Sequence, residues 1–346
     1  MKKLGFGLMR LPLLDPNNDA SIDMDQLKKM VDIFIERGFT YFDTAIMYNG
    51  FASQRAAKEA LVDRYPRDSF TLATKLHSGF FDSFEDRDRV FNEQLEQTGA
   101  GYFDYYLIHG VEAANYLKYE KYDCFNWLLE KKAKGLVKHA GFSFHDTPEL
   151  LDQILTKYPD MEFVQMQLNY LDWESEWVQS RAVHEVAVKH GKPVIVMEPV
   201  KGGALAKLPE PAEARMKAAH PDWSIASWAL RFAAGLDGVM VVLSGMSTLE
   251  QLRENVSFMD GVRPLSKEDL ETVFFAADCL RAEPFIPCTG CSYCTDGCPA
   301  NIPIPEYFSI YNAERKAEDG KARDALHGKY AEAAKGYGDA RDCVEY

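Results

Sequence analysis

Between Gly5 and about residue 258, eight short apolar or β-branched runs alternate with longer amphipathic stretches, which restricts the chain to a parallel sheet made of repeated βα units. The predicted strands are Gly5–Leu11, Thr40–Thr44, Phe70–Lys75, Tyr102–Ile108, Val137–Ser143, Phe163–Asn169, Pro193–Glu198 and Gly238–Leu243. Over Asp25–Arg37, residues Leu27, Met30, Val31 and Phe34 repeat at helical spacing and Gly38 supplies a stop. Further helices are expected near 53–64, 84–98, 119–134, 147–157, 177–190, 222–234 and 248–257. Eight pairs fit a closed α/β structure, the (β/α)8 TIM barrel, better than an open doubly wound sheet. The glycine fingerprint that the open sheet needs for a dinucleotide is missing, because Gly5-Phe6-Gly7-Leu8-Met9-Arg10 stops at two glycines.

A barrel of this kind fills about 250 residues, so a chain of 346 holds one with an appendage. The formal charge of -14 repels nucleic-acid phosphates and acidic lipid headgroups, and no basic cluster offsets it, so no nucleic acid and no membrane is expected as a partner. Apolar runs such as Val239–Leu243 are far too short to span a bilayer. The start, Met1-Lys2-Lys3 followed by Leu4 to Leu14, mimics a secretion signal. Arg10 and Pro12 interrupt it, however, and a cytoplasmic location is expected.

Chemistry in a barrel sits at the carboxyl ends of the strands. Four polar groups fall there: Asp43 after Tyr41-Phe42, Tyr48 in the following loop, Lys75 after Thr71 to Thr74, and His109 after Leu107-Ile108. Hydride reduction of a carbonyl needs a proton donor at the developing alkoxide, and a tyrosine of ordinary pKa about 10 must be made more acidic to serve near neutrality. A neighbouring lysine favours the phenolate, an aspartate keeps that lysine charged and oriented, and a histidine can hydrogen-bond the carbonyl oxygen. Taken singly, the aspartate would be a helix cap, the tyrosine packing, the lysine solvated and the histidine structural. The ordered set at the strand exits carries the functional reading.

Phe42-Asp43-Thr44-Ala45 with Tyr48, the strand-ending Lys75 and Leu107-Ile108-His109 resembles the four-residue site of the aldo-keto reductase family, in order over residues 5 to 258. The resemblance implies NAD(P)H-dependent reduction of an aldehyde or ketone, a small-molecule carbonyl substrate, with Tyr48 as the acid. It also implies a site for NADPH (or NADH). Gly141-Phe142-Ser143 and Val164-Gln165 resemble the strand ends whose Ser143 and Gln165 would hold the nicotinamide carboxamide. Met197-Glu198-Pro199 and Gly202-Gly203 resemble the segment beside the nicotinamide and pyrophosphate, with Met197 where the family often has an aromatic residue. Ser244, Gly245 and the stretch Glu250 to Asn255 resemble the adenosine-phosphate end. Gln251 stands where an arginine for the 2'-phosphate would be expected, which leaves NADP and NAD both open.

Six of the seven cysteines lie between Cys279 and Cys343, a distribution that points to metal ligation rather than disulfides. Cys288, Cys291, Cys294 and Cys298, followed by Pro299, read C-x2-C-x2-C-x3-C-P, the ligand run of bacterial 4Fe-4S ferredoxins. Zinc is the alternative, although zinc knuckles usually pair two C-x2-C hairpins across a longer loop. The barrel is assigned to 1–281, and a helical, cysteine-rich ferredoxin-like extension to 282–346, with solvated helices in the last forty residues. Relatives with such tails often continue into a second cysteine run. The segment around Cys343 resembles its opening, so the resemblance implies a chain truncated at its C terminus and two clusters in the intact protein; one cluster on the first four cysteines is the simpler reading. Cys279 and Cys124 are expected in the core.

The cluster would either exchange electrons with a redox partner protein or be structural. The alternative function is an electron-transfer protein whose barrel binds nucleotide and docks a redox partner. Substrate-facing aromatics are expected at Phe80-Phe81, Trp173 and Trp177.

Overall fold

In the computed structural model, residues 2–343 are described apart from 284, 287, 289, 291, 292, 297, 318 and 319. Eight strands, β1 (Leu4–Gly7), β2 (Tyr41–Asp43), β3 (Thr71–His77), β4 (Phe103–Val111), β5 (Val137–Phe144), β6 (Phe163–Gln167), β7 (Val194–Met197) and β8 (Val239–Gly245), pair in parallel in chain order. The pairing of β1 with β8 closes the barrel, as the alternation predicts.

Each strand is placed by its apolar alternation. Tyr41, Ala73, Leu107, Phe163, Ile195, Val241 and Leu243, from the inward face of six strands, form one buried cluster that fills the barrel interior. Gly141 makes room for it. A Cβ there would stand 2.5 Å from the Phe163 carbonyl oxygen and 2.6 Å from the Phe163 ring.

The outer helices start where the sequence provides caps. Asp23 accepts the Gln26 N–H at the head of Met24–Glu36, and Leu27, Met30, Val31 and Phe34 are that helix's buried stripe. Ser83 caps Phe84–Thr98, which stops at the left-handed Gly99, while Thr147 with Pro148 opens Pro148–Lys157.

Three expectations needed adjustment. The first strand ends at Gly7 rather than Leu11: the Leu8 N–H makes the last ladder hydrogen bond, to the Asp43 carbonyl at 2.8 Å, and the register with β2 stops at the Gly7–Asp43 pair. The stretch expected as one helix near 119–134 is two, Ala113–Lys121 and Cys124–Ala133, broken where Asp123 is left-handed at φ 48°. β3 and β4 run past Lys75 and His109 to His77 and Val111, since the pairing continues through His77 opposite His109.

The chain forms two compact units: residues 1–199 with 227–267, and residues 200–226 with 268–346. Within the second unit, His220 stacks on Trp223 at 3.8 Å and meets Asp269 at 2.9 Å. The helices Ile304–Lys316 and Gly320–Ala333 lie where the sequence places its last helices. Asn312 exchanges two 2.7 Å hydrogen bonds with the Ile286 backbone, and Gly338 donates to the Asn301 carbonyl at 3.1 Å. Both flanks of the cysteine run are therefore tied to this unit's own helices and tail. Among the described residues no helix is long and apolar enough to cross a membrane.

Candidate active site

The period of two that builds the interior also aims the polar residues. Asp43, Lys75, His109, Ser143 and Gln165 each stand two residues beyond an inward position, Tyr41, Ala73, Leu107, Gly141 and Phe163 respectively, so they continue the same face to the carboxyl end of the barrel.

There they meet. Lys75 Nζ donates to Asp43 Oδ1 at 2.5 Å and to the Thr44 carbonyl at 2.8 Å, with both charged side chains almost wholly buried. The ammonium also lies 4.9 Å from the centroid of the Tyr48 ring. The Tyr48 and His109 rings meet edge to face at 6.2 Å. All four expected residues are thus brought together.

Burial drives the Asp43 carboxyl up from its ordinary pKa, while Lys75 and a hydrogen bond from Gln165 oppose it. Gln165 therefore lies beside the aspartate as well as facing the interior. Its Oε1 is buried and has no hydrogen-bond partner.

His109 is 1% exposed, and burial pushes its pKa well below the usual value, helped by the charge of Lys75 and by His77 and His145. Burial likewise lowers His145 to about 4. These two rings fold in the neutral form, whereas in the unfolded chain they take up a proton below about pH 6.5. Their contribution to stability is therefore complete above that pH and is lost progressively as the pH falls towards 4. Urea midpoints measured across this window should drop, and a His109→Asn/His145→Asn double variant should flatten the profile; an equally steep double variant would contradict the assignment.

With the geometry established, comparison with known proteins identifies the lineage. A profile described as the Aldo/keto reductase family matches residues 3–274. The chain belongs to the aldo/keto reductase family. An uncharacterised oxidoreductase of Bacillus subtilis is 23% identical over 304 residues, covering 79% of this chain and 92% of that one. A probable NAD(P)H-dependent D-xylose reductase of Aspergillus clavatus is 32% identical over 122 residues, 34% of this chain and 32% of the relative. Among solved structures, the holo form of an aldo-keto reductase from Bacillus halodurans superimposes with a TM-score of 0.64 at 24% identity, over 78% of this chain and 90% of that one. The expectation of an aldo/keto reductase barrel and of an oxidoreductase is borne out.

The remaining expected positions of this aldo/keto reductase are distributed as follows. Ser143 is buried at the end of β5, where its Oγ accepts the Gly110 N–H at 2.7 Å. Met197 is half-buried at the end of β7. Ser244 has the outward parity of β8 and accepts from Asn255 Nδ2 at 3.2 Å, so these two are joined. Gly245 ends β8 and is exposed. Gln251 lies in the first turn of Leu249–Met259, where its Oε1 accepts the Ser247 N–H at 2.7 Å. Gly203 has a φ of 100° and belongs to the second compact unit.

The sequence reading overlooked His77 and Thr44. The signal for His77 was available, since it lies two residues beyond Lys75 on the same strand face; its ring meets that of His109 at 5.2 Å. Of the expected aromatics, Phe80 is half-buried near the site, Phe81 is core packed on Tyr119 and Tyr122, Trp173 packs on His184 and Phe232, and Trp177 is 94% exposed.

Of the expected cluster ligands, Cys291 lies outside the described residues; Cys288 and Cys294 are exposed and Cys298 is half-buried. Among the described residues no group of three or more His, Cys, Asp or Glu side chains is placed to hold a metal ion. Backbone amides nevertheless point at two of the sulfurs: Gly290 N–H at Cys288 Sγ, 3.3 Å, and Ile302 N–H at Cys298 Sγ, 3.4 Å. Such donors suit a thiolate more than a thiol. Cys124 is buried in the barrel unit, and burial lifts its thiol to about 12.

Proposed function

We propose that the protein is an NAD(P)H-dependent reductase of aldehydes or ketones, with Asp43, Tyr48, Lys75 and His109 as its reacting centre. The observation that carries this reading is the convergence of a buried Asp43–Lys75 pair, the Tyr48 ring and a neutral His109 at the carboxyl end of the barrel.

A reduced nicotinamide, when bound, supplies the hydride for the carbonyl carbon; dependence on NAD(P)H is the property for which the Aspergillus relative is named. The chain's residues do the rest. Tyr48 donates its proton to the carbonyl oxygen, and Lys75 stabilises the phenolate left behind. Asp43, paired with Lys75, keeps the ammonium charged and in place. His109, being neutral, offers a hydrogen bond to the substrate oxygen without competing for the proton. The unpartnered Gln165 Oε1 suits the amide N–H of a carboxamide, and Ser143, Met197, Gly203, Ser244, Gly245, Gln251 and Asn255 complete the proposed cofactor set.

The decisive assay follows nicotinamide absorbance in purified protein with NADPH and with NADH. Oxidation that requires an added aldehyde or ketone supports the reading, and its absence across a broad carbonyl panel defeats it.

For the extension, assigned functionally to 282–346, the ligand spacing and the amides aimed at Cys288 and Cys298 support a 4Fe-4S cluster on Cys288, Cys291, Cys294 and Cys298. Its service would be one-electron exchange with a redox partner protein. Anaerobically prepared protein should contain iron and sulfide in equal amounts and show a broad visible band. Cys288→Ser should lose much of both, and Cys279→Ser neither. Stoichiometric zinc in place of iron would overturn the assignment. Mixing the reconstituted protein with reduced nicotinamide then separates the readings. Bleaching of the cluster band would favour the second one, an electron-transfer protein, whereas an unchanged band would leave plain carbonyl reduction.

A further inference from the structure

Immediately after Tyr48 the backbone turns left-handed for three residues, Asn49 at φ 50°, Gly50 at 55° and Phe51 at 69°. Asparagine and glycine enter this region readily, but a bulky side chain there is a true outlier. The turn is fixed by Asn49, whose amide donates to the Asp19 carbonyl at 3.3 Å, and by the Ala52 N–H on the Asn49 carbonyl at 3.0 Å.

Burial does not compensate Phe51 for this conformation, because the residue is 55% exposed. Its ring instead stands perpendicular to that of Phe80 at 6.0 Å. Phe80 in turn meets His77 at 5.8 Å, His77 meets His109 at 5.2 Å, and His109 meets Tyr48 at 6.2 Å. An unbroken series of edge-on rings therefore runs from the reacting centre to the surface and ends on a strained, exposed phenylalanine.

We propose that Phe51 and Phe80 seat the aryl group of an aromatic aldehyde or ketone whose carbonyl lies at Tyr48 and His109. The inference rests on the reading of those two residues as the carbonyl-reducing centre. Two perpendicular rings offer a planar guest one face and one edge at once, the two arrangements that aromatic quadrupoles favour, whereas a puckered saturated ring has no quadrupole and gains only dispersion and C–H contacts there. Backbone strain is held by the surrounding structure and collects at ligand clamps and active sites, so a phenylalanine kept where local propensity calls for glycine marks this ring as a ligand contact. The reaction is the one already assigned: the carbonyl carbon gains hydride, the oxygen gains the Tyr48 proton, the reduced nicotinamide is oxidised, and an aryl carbinol leaves.

The test compares benzaldehyde with cyclohexanecarbaldehyde, of similar size but without a planar ring, in the full chain and in Phe51→Gly and Phe80→Leu. The ratio of kcat/KM for the aromatic over the saturated aldehyde should fall about 3- to 10-fold in each variant, mainly through KM for benzaldehyde. Phe51→Gly, freed of the unfavourable φ, should melt no lower than the parent. Equal losses on both aldehydes, an unchanged ratio, or a lowered melting temperature in Phe51→Gly would overturn the proposal and make the ring a structural element. A parent protein that reduces neither aldehyde, yet reduces other carbonyls, refutes the aryl seat alone; one that reduces no carbonyl refutes the reacting centre beneath it.

Discussion

Tyr48→Phe is expected to lower carbonyl reduction by about a hundred- to ten-thousand-fold, the usual worth of a positioned acid, while nicotinamide binding stays intact. The substitution removes one oxygen and keeps the ring, so the edge-on contact with His109 and the packing over Lys75 persist. Steady-state rates paired with a fluorescence titration of the reduced cofactor check it. A protein that merely binds nucleotide would show no rate to lose. A variant that keeps its rate would hand the proton donation to another group, His109 being the nearest ring.

Lys75→Met should be the most destabilising single change at the site, by about 3–5 kcal/mol, because it leaves the Asp43 carboxylate buried with no counter-charge. Asp43→Asn in the same chain should recover much of that loss, since an amide of the same shape requires no charge partner. Neither protein should regain activity, as the ammonium that stabilises the phenolate is gone. Chemical denaturation of the two variants provides the measurement. A single variant as stable as the parent, or a double variant no better than the single, would mean that the carboxyl is already protonated in the fold, the state towards which its burial drives it.

Much of this architecture was legible because both of its periods are strong in the sequence. Eight apolar runs set the strand count and their carboxyl ends placed Asp43, Lys75 and His109; the structure adds that the step of two along β2, β3 and β4 carries these three on the face that Tyr41, Ala73 and Leu107 occupy. What the pattern could not reveal depends on contacts across the chain. Nothing local says that Gln165 comes to lie beside Asp43, because the two are far apart in sequence and approach only when the barrel closes. His77 is legible only when the strand is carried past its first charged residue, since a buried lysine with a carboxylate partner interrupts no ladder. The left-handed turn after Tyr48 was likewise invisible, since Asn-Gly signals a turn but does not say that the next residue must follow it.

The ties that Asn312 and Gly338 make on either side of the cysteine run bear on how the proposed cluster would be assembled and lost. Ligands scattered along a free segment must be gathered against the full entropy of the chain, and that cost grows with the logarithm of the distance between fixed points. Ile286 and Asn301 are such fixed points, so the loop that cluster binding would close is short. A chain that has lost its cluster to oxygen would thus keep the frame around the vacancy, and rebuilding would resemble closing a small ring more than folding a domain.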